Sequence, residues 1–243
     1  MVDYSILVPA YNEEKLLPAT LASLREAMRA VPLSGEIIVC DNNSTDRTAD
    51  AAREGGARVV LQPVNQISRA RNTAAAAAQG RYLVMVDADT HIEPALLVSA
   101  LERLASGKVA GGGAFLRMDS EVRPGVQLRT AIWHLMARRF RLAAGSFVYV
   151  TREAFQGVGG FSEEVYAGEE LGFSHAVRRW GRTRGLDFQI IESPPVVTSS
   201  RKDRWFSPVV VTVTFLSFAM FPFLLRSRTL CWYWYRRPRS SFS

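Results

Sequence analysis

Residues 81–89 read RYLVMVDAD, an apolar run that leads directly into two aspartates. The run Arg81–Val86 predicts a buried β-strand. In an extended chain Asp87 and Asp89 point the same way. Such a pair can hold a hard divalent cation through oxygen while substrate phosphates complete its coordination shell. Taken alone, the motif is also consistent with a strand-end turn in which an aspartate caps the following helix.

The preceding residues repeat the same pattern of a short apolar run followed by a helical segment. Predicted strands and helices alternate along the chain: Tyr4–Pro9, helix Asn12–Ala30, Glu36–Cys40, a helix capped by Ser44 or Thr45 that runs to Glu54, Ala57–Leu61 and helix Ser68–Gln79. This alternation predicts a doubly wound, mostly parallel α/β sheet flanked by helices. Such sheets bind ligands at the carboxyl ends of their strands. Polar clusters lie at those ends, at residues 11–14, 41–46 and 87–89.

The second half of the chain is less regular. Its predicted elements are strands Val109–Met118, Ser146–Val150 and Leu186–Ile191, a basic amphipathic helix Gln127–Ala143 and a helix Glu169–Trp180. The helix Glu169–Trp180 carries two acidic residues in its first turn.

Composition bounds the class of protein. The 243 residues are 48% apolar and 22% charged, as in a globular chain of one large or two small domains. Residues 1–200 carry 22 basic and 22 acidic side chains, so the net charge of +7 lies wholly in residues 201–243. This distribution of charge disfavours a basic nucleic-acid-binding body. Two cysteines, Cys40 and Cys231, cannot build a disulfide framework, which favours a reducing, cytoplasmic setting.

The C-terminal residues have a different character. Val209–Leu225 contains 17 residues without a charge, and arginines and aromatic residues follow it. A helix of that length covers about 25 Å, slightly less than a bilayer core of about 30 Å. Aromatic and arginine residues together are typical of an interfacial anchor. A surface or re-entrant segment, a true span and a soluble helical appendage all remain open.

Several motifs in series resemble those of the family 2 glycosyltransferases, which have the GT-A, Rossmann-like fold. They are VPAYNEE at 8–14, DNNSTD at 41–46, ARN at 70–72, DAD at 87–89, GGF at 159–161 and GEE at 168–170. The resemblance covers about residues 4–205. It divides the chain into a catalytic domain at 1–205 and a hydrophobic, basic, membrane-associating tail at 206–243.

The resemblance implies roles for individual residues. Donor-nucleotide contacts would come from Pro9, Ala10, Tyr11, Glu13, Asp41, Arg71, Asp87 and Ala88. Asp41 would accept a hydrogen bond from a base N–H, because a carboxylate only accepts. Asp89 would be the main ligand of Mg²⁺ or Mn²⁺, and Asp87 would contact the ribose or the metal.

An inverting transfer also needs a base for the acceptor hydroxyl. The resemblance places it in the pair Glu169-Glu170, with Glu170 at the position of the base. Where the family has Glu-Asp this chain has Glu-Glu, so both residues remain candidates. Both would also sit favourably at a helix start without any catalytic role.

Residues 201–205, RKDRW, resemble the Q-x-x-R-W motif of processive synthases in the family, with arginine in place of glutamine. Arg201, Arg204 and Trp205 would lie near the diphosphate or the acceptor. A basic membrane-proximal segment fits these residues equally. The altered first position and the lone apolar segment argue against a processive synthase.

The sequence therefore predicts a metal-dependent, inverting glycosyltransferase of hexosyltransferase type. Its donor would be a nucleotide-diphosphate sugar and its acceptor a hydroxyl group, which suits a lipid-linked or cell-envelope glycan. The basic tail and helix 127–143 would hold it at the inner face of the plasma membrane. The alternative is a catalytically weak, nucleotide-binding scaffold at the membrane. A sugar nucleotidyltransferase is disfavoured because its Gly-rich N-terminal loop is absent, and a dinucleotide-binding oxidoreductase because its glycine fingerprint is absent.

Overall fold

A computed structural model of the chain describes residues 2–201 and 205–235. The strands are β1 (Tyr4–Ala10), β2 (Gly35–Asp41), β3 (Arg58–Leu61), β4 (Tyr82–Val86), β5 (Thr90–His91), β6 (Val109–Met118), β7 (Phe147–Thr151) and β8 (Asp187–Thr198). The helices are α1 (Leu17–Arg29), α2 (Thr48–Glu54), α3 (Ile67–Ala77), α4 (Pro94–Ala105), α5 (Pro124–Phe140), α6 (Arg152–Gly157), α7 (Glu169–Arg182), α8 (Pro208–Met220) and α9 (Trp232–Tyr235).

The described strands form one mixed sheet in the order β3-β2-β1-β4-β7-β6-β8-β5. Strands β1 to β4 are parallel, with Leu7 beside both Ile38 and Met85. Strand β7 runs antiparallel between β4 and β6, and β8 is again parallel to β6. The predicted α/β class with a mostly parallel sheet is confirmed.

The sheet separates two apolar cores, one on each face. One core lies under α1 and α4, where Leu21 and Leu97 are fully or almost fully buried. The other lies under α3, α6 and α7. There the alanines of α3, such as Ala70 and Ala74, allow the helix to approach the sheet closely. Burial on both faces explains why the central strands are continuous apolar runs.

Helices α1 and α2 begin later than the sequence indicates. The backbone N–H groups of Asn12 and Glu13 donate to Ser44 Oγ (3.0 Å) and Thr48 Oγ1 (2.7 Å). These bonds hold residues 12–16 as a loop, and α1 starts only at Leu17. The polar clusters that follow β1 and β2 are therefore tied together.

Three elements of the structure are not among those predicted from the sequence: strand β5 and helices α4 and α6. The extended conformation expected for Asp87 and Asp89 was also wrong. Strand β4 ends at Val86, and Thr90 N–H donates to Asp87 O (3.2 Å). The two aspartates lie in a turn, because β5 leaves at once to pair with β8.

The C-terminal residues fold back onto the domain. After α8 the chain turns at Phe221, forms a 3-10 helix at Pro222–Arg226 and ends its described part in α9. Tyr166 N–H donates to Leu225 O (2.7 Å), and Arg226 pairs with Glu164 (3.0 Å). Within the part of the chain that the structure describes, no helix is both long and apolar enough to cross a membrane.

Candidate functional site

A cavity of about 350 Å³ opens at the carboxyl ends of β1 and β4. Carboxylates and arginines dominate its polar lining: Glu13, Arg71, Asp87, Asp89, Glu169, Glu170 and Arg201. Pro9, Ala10, Tyr11, Ala88 and Trp205 also line it. Residues nearly 200 positions apart thus meet in one site, at the sheet edge where the sequence placed its acidic clusters.

Asp41 lies beside this cavity and is not part of its lining. It ends β2 and is buried, and its Oδ1 accepts the N–H of Ser44 (3.0 Å). The next residue, Asn42, does line the cavity; its Oδ1 accepts the N–H of Gln66 (3.2 Å). The residue that lines the cavity at the end of β2 is therefore Asn42, directly after the strand.

Arg71 forms the centre of a buried ion-pair cluster. From α3 its guanidinium donates to Glu169 Oε1 (2.8 Å), Asp87 Oδ1 (3.0 Å) and the carbonyl of Gly145 (2.9 Å). Burial by itself lowers the pKa of Arg71, but the charges of Glu169, Asp87 and Glu170 outweigh it and raise the pKa overall. Arg71 therefore stays charged and ties α3, β4 and α7 together.

Glu169 and Glu170 occupy different environments although they are adjacent. Gly168 caps α7 with φ 70°, a left-handed conformation that favours glycine, and puts both residues in the first turn. The Glu169 side chain is only 3% exposed and is bound to Arg71. Glu170 is partly exposed and faces the cavity.

The pKa of Glu170 is raised to about 7, chiefly because its carboxyl group is desolvated. The negative charge of Glu169 adds to the rise, and the Arg71 guanidinium opposes it. A carboxyl group with a pKa near neutrality can accept a proton at physiological pH. Glu170 is therefore the candidate base of the cavity.

Arg201 forms the second arginine cluster of the site. Its guanidinium makes a bidentate pair with Glu13, with Nη1 to Oε2 at 2.6 Å, and its Nη2 lies 2.9 Å from Asp89 Oδ2. It also stacks 5.5 Å from the Trp205 ring centroid. Arg204, the third predicted residue of this segment, lies outside the described residues.

Ala88, between the two aspartates in sequence, contacts helix α1. Its carbonyl accepts the hydroxyl of Thr20 (2.9 Å), a buried bond that fastens the turn to α1. Three side chains therefore hold the turn: Thr20 bonds to Ala88, Arg71 pairs with Asp87 and Arg201 pairs with Asp89.

Several residues of the cavity wall are not predicted from the sequence. They include Asn42, Asn65, Ile67, Leu116, Trp133, Ala144, Gly145, Ser146, Thr198, Trp234 and Tyr235. Trp133 stood out only as part of an amphipathic helix, and Trp234 and Tyr235 only as part of an interfacial anchor. Their placement depends on chain folding that no local spacing encodes.

Tyr235 fastens the C-terminal segment to the site. Its hydroxyl donates to Tyr166 O (2.9 Å) and accepts the N–H of Ile67 at the start of α3 (3.3 Å). The Arg228 guanidinium lies 5.4 Å from its ring centroid. We expect Tyr235→Phe to lose both hydrogen bonds, each about 0.5–1.5 kcal/mol. Amide hydrogen exchange in residues 225–235 should therefore speed up, while β1 and β4 stay protected.

Tyr166→Phe is the matched control for Tyr235→Phe, because it keeps the main-chain carbonyl that Tyr235 uses. Unchanged exchange in residues 225–235 of Tyr235→Phe would contradict a fastening role for this hydroxyl.

The comparisons with known proteins show the family and the fold of the chain. Residues 5–159 match the family model described as glycosyl transferase family 2. The chain belongs to this family. The matched region includes the loop after β1, Arg71 and the aspartate turn, and it ends before Glu169, Glu170 and Arg201. The fold is that of a glycosyltransferase domain, so the resemblance read from the motifs is confirmed.

Individual relatives are similar over shorter stretches. An uncharacterized glycosyltransferase of Mycobacterium tuberculosis is 34% identical over 103 residues, which are 42% of this chain and 44% of that protein. An undecaprenyl-phosphate 4-deoxy-4-formamido-L-arabinose transferase of Pseudomonas paraeruginosa is 32% identical over 128 residues, 49% of this chain and 38% of that protein. This family 2 chain thus matches less than half the length of these curated relatives.

A solved structure supports the fold over a larger share of the chain. It is glucosyl-3-phosphoglycerate synthase from Mycobacterium tuberculosis in complex with Mn²⁺, uridine diphosphate and glucosyl-3-phosphoglycerate. Its TM-score is 0.62 at 21% identity, and the similarity covers 89% of this chain and 79% of that one. At this identity the similarity shows the shared GT-A fold.

Proposed function

We propose that this chain transfers a sugar from a nucleotide-diphosphate sugar to an acceptor hydroxyl, with inversion at the anomeric carbon and with the help of a divalent cation. One observation carries the proposal. Five carboxylates converge on the described cavity wall with only two arginines, and the carboxylate without an ion pair, Glu170, has its pKa raised to about 7. Such a site favours a cation and contains a base.

The charge of the site supports cation dependence. Arg71 and Arg201 each contact one oxygen of an aspartate, Oδ1 of Asp87 and Oδ2 of Asp89. The excess of carboxylates would repel a diphosphate that entered without a counter-ion. Carboxylate oxygens at Asp87 and Asp89 suit Mg²⁺ or Mn²⁺, which keeps several waters and binds substrate phosphates. Once bound there, the cation would neutralise charge on the departing diphosphate.

The loops after β1 and β2 would hold the nucleotide. Pro9, Ala10 and Tyr11 line the cavity beside Asn42, whose side-chain amide can pair with a base edge. Asp41 would support that loop through Ser44. The related synthase of known structure binds uridine diphosphate, which makes uridine diphosphate the first nucleotide to test.

Glu170 would act as the general base. Its carboxylate takes the proton of the acceptor hydroxyl while the hydroxyl oxygen bonds to the anomeric carbon. The bond from that carbon to the diphosphate oxygen breaks, and the nucleoside diphosphate leaves with the electron pair. Glu169 is less accessible to an acceptor, because its side chain is only 3% exposed and is bound to Arg71 (2.8 Å). Arg71 is thus a positioning residue for both Glu169 and Asp87.

We also propose that the acceptor is lipid-linked or part of an envelope glycan and that the protein acts at the inner face of the plasma membrane. The relative from Pseudomonas paraeruginosa acts, by its name, with undecaprenyl phosphate. In this chain the apolar side chains of Val213, Leu216 and Met220 on α8 are exposed. Both cysteines are free thiols, as in a reducing compartment.

The experiment that tests this function is a thermal-shift panel of UDP, GDP, TDP and CDP, each with Mn²⁺, with Mg²⁺ or with neither. We expect one nucleotide to stabilise the protein only with a cation. At about 100 times the dissociation constant the gain should be about 2.7 kcal/mol. Asp89→Asn should abolish the gain, whereas Asp50→Asn on exposed α2 should keep it. No gain with any nucleotide would contradict both a transferase and a nucleotide-binding scaffold.

A further inference from the structure

Helix α5 presents its large apolar side chains to solvent. Leu128, Ile132, Leu135 and Met136 are all exposed, with Leu128 at 64% and Leu135 at 68%. Their spacing places them on one side of the helix. The buried side chains Val126 and Ala137 lie on the opposite side. We call the four exposed residues the α5 face.

A second cavity, of about 850 Å³, adjoins the C-terminal end of this face. Five arginines line it: Arg138, Arg139, Arg141, Arg178 and Arg182. Leu135 belongs to both the cavity and the α5 face, so the two are continuous. We call this second cavity the arginine cavity.

The arginine cavity is short of anions. Arg138 pairs with Glu192 (2.6 Å) and Arg141 pairs with Asp187. Within residues 2–201 and 205–235, no ion pair forms at the other three arginines, Arg139, Arg178 and Arg182.

Arg178 is repelled by the positive charges of its neighbours Arg141 and Arg182. Its guanidinium donates to the carbonyl of Phe140 instead of to a carboxylate. Desolvation lowers the pKa of Arg178, and the positive charges of Arg141 and Arg182 lower it further, while Asp187 opposes. A bound anion would relieve this repulsion, and arginine forks suit a phosphate.

We propose that the α5 face and the arginine cavity together form a docking surface for an anionic membrane, with the apolar side chains in the interfacial region and a phospholipid headgroup phosphate in the cavity. Amphipathic helices rich in arginine bind membranes in this way. A second copy of the chain fits less well, because a two-fold contact through this face would bring two arginine clusters together. The arginine cavity shares no lining residue with the proposed catalytic cavity, so the proposal rests on the proposed membrane location and not on the transfer reaction.

The test is flotation of the full chain with two kinds of vesicle, phosphatidylcholine alone and phosphatidylcholine with phosphatidylglycerol. We expect binding to the anionic vesicles and much weaker binding to the neutral ones. Arg139→Gln with Arg182→Gln should weaken anionic binding about thirtyfold, since each arginine near the surface contributes about a fivefold factor. Leu128→Ser with Leu135→Ser should weaken it at least tenfold, a rough estimate from the apolar area withdrawn.

Two matched variants keep the test decisive. Arg47→Gln with Arg53→Gln removes two exposed arginines, one just before α2 and one within it. Val213→Ser with Leu216→Ser removes two exposed apolar side chains from α8. The α2 variant should bind anionic vesicles as the unaltered chain does, and the α8 variant should keep the dependence on anionic lipid.

Vesicle binding that is lost in the α8 variant and unchanged in both α5-face and arginine variants would overturn this proposal while leaving the membrane location intact. Sedimentation in which the α5 variant converts a dimer to a monomer, with vesicle binding unchanged, would also overturn it. That outcome would make the face an interface between copies.

Discussion

Glu170→Gln should lower kcat for sugar transfer by about 10²–10⁴-fold, the usual contribution of a positioned general base. The amide keeps the size of the side chain and cannot accept the hydroxyl proton. Binding of nucleotide and cation should persist, because Asp87 and Asp89 are untouched. Steady-state kinetics beside a thermal-shift measurement separates the two effects.

The same residue sets a pH dependence. The base must be ionised, and its pKa is raised to about 7, so kcat should rise with pH and level off above neutrality. The stability of the folded state changes with pH in the opposite direction to kcat. The unfolded chain ionises Glu170 near pH 4.5, so the stability linked to its protonated form is full below that pH and is lost as pH rises through about 7. Above neutrality Glu170→Gln should therefore be the more stable protein while being the less active one.

Glu153→Gln is a matched control for Glu170→Gln, because Glu153 also lies in the first turn of a helix but is exposed and away from the cavity. It should leave kcat unchanged. If Glu169→Gln abolished transfer with its fold intact while Glu170→Gln retained it, the base would be Glu169.

Arg71→Ala should lower the free energy of unfolding by about 3–5 kcal/mol, the cost of breaking a buried ion pair from one side. The substitution leaves Glu169 buried without a counter-charge beside Glu170 and Asp87. It also removes the donor to Gly145 O. Chemical denaturation at neutral pH measures the effect.

Two further variants identify the cause of that loss. Arg69→Ala, two residues earlier on α3, removes a half-exposed pair with Glu163 (3.2 Å) and should cost no more than about 1 kcal/mol. Arg71→Ala combined with Glu169→Gln should cost less than the sum of the two single changes, because the buried charge is gone. Additive costs would contradict an energetic coupling between Arg71 and Glu169.

Much of the fold was predictable because its signals are local. The apolar runs predicted from Tyr4, Glu36 and Arg81 form strands that begin within one residue of those positions, since a strand buried on both faces must be continuously apolar. Helix α4 was missed although Leu97 and Leu101 are spaced as one buried helical face. At Asp87 the sequence left an extended pair and a strand-end turn open; the turn is set by β5, which pairs with β8 more than 100 residues later in the chain.

The candidate site was predictable in part. Parallel strands bring their carboxyl ends to one edge, so the clusters after β1 and β4 had to meet. The predicted Glu13, Asp87, Asp89 and Glu170 do line one cavity. The bidentate pair of Glu13 with Arg201 was not predictable, because the two residues are 188 positions apart and each has a plausible exposed alternative.

The sequence by itself determined the sheet, the family and the edge of the sheet where the acidic residues collect, because apolar periodicity and strand direction are properties of neighbouring residues. The tertiary structure alone decided the different surroundings of Glu169 and Glu170. Arg71, 98 residues from Glu169, binds one carboxylate and leaves the other desolvated at the cavity wall. It also decided that the aromatic C-terminal segment packs beside the site through Tyr235. The burial of a side chain and the charges beside it depend on which distant residues the fold brings together. The spacing of residues along the chain does not encode those contacts.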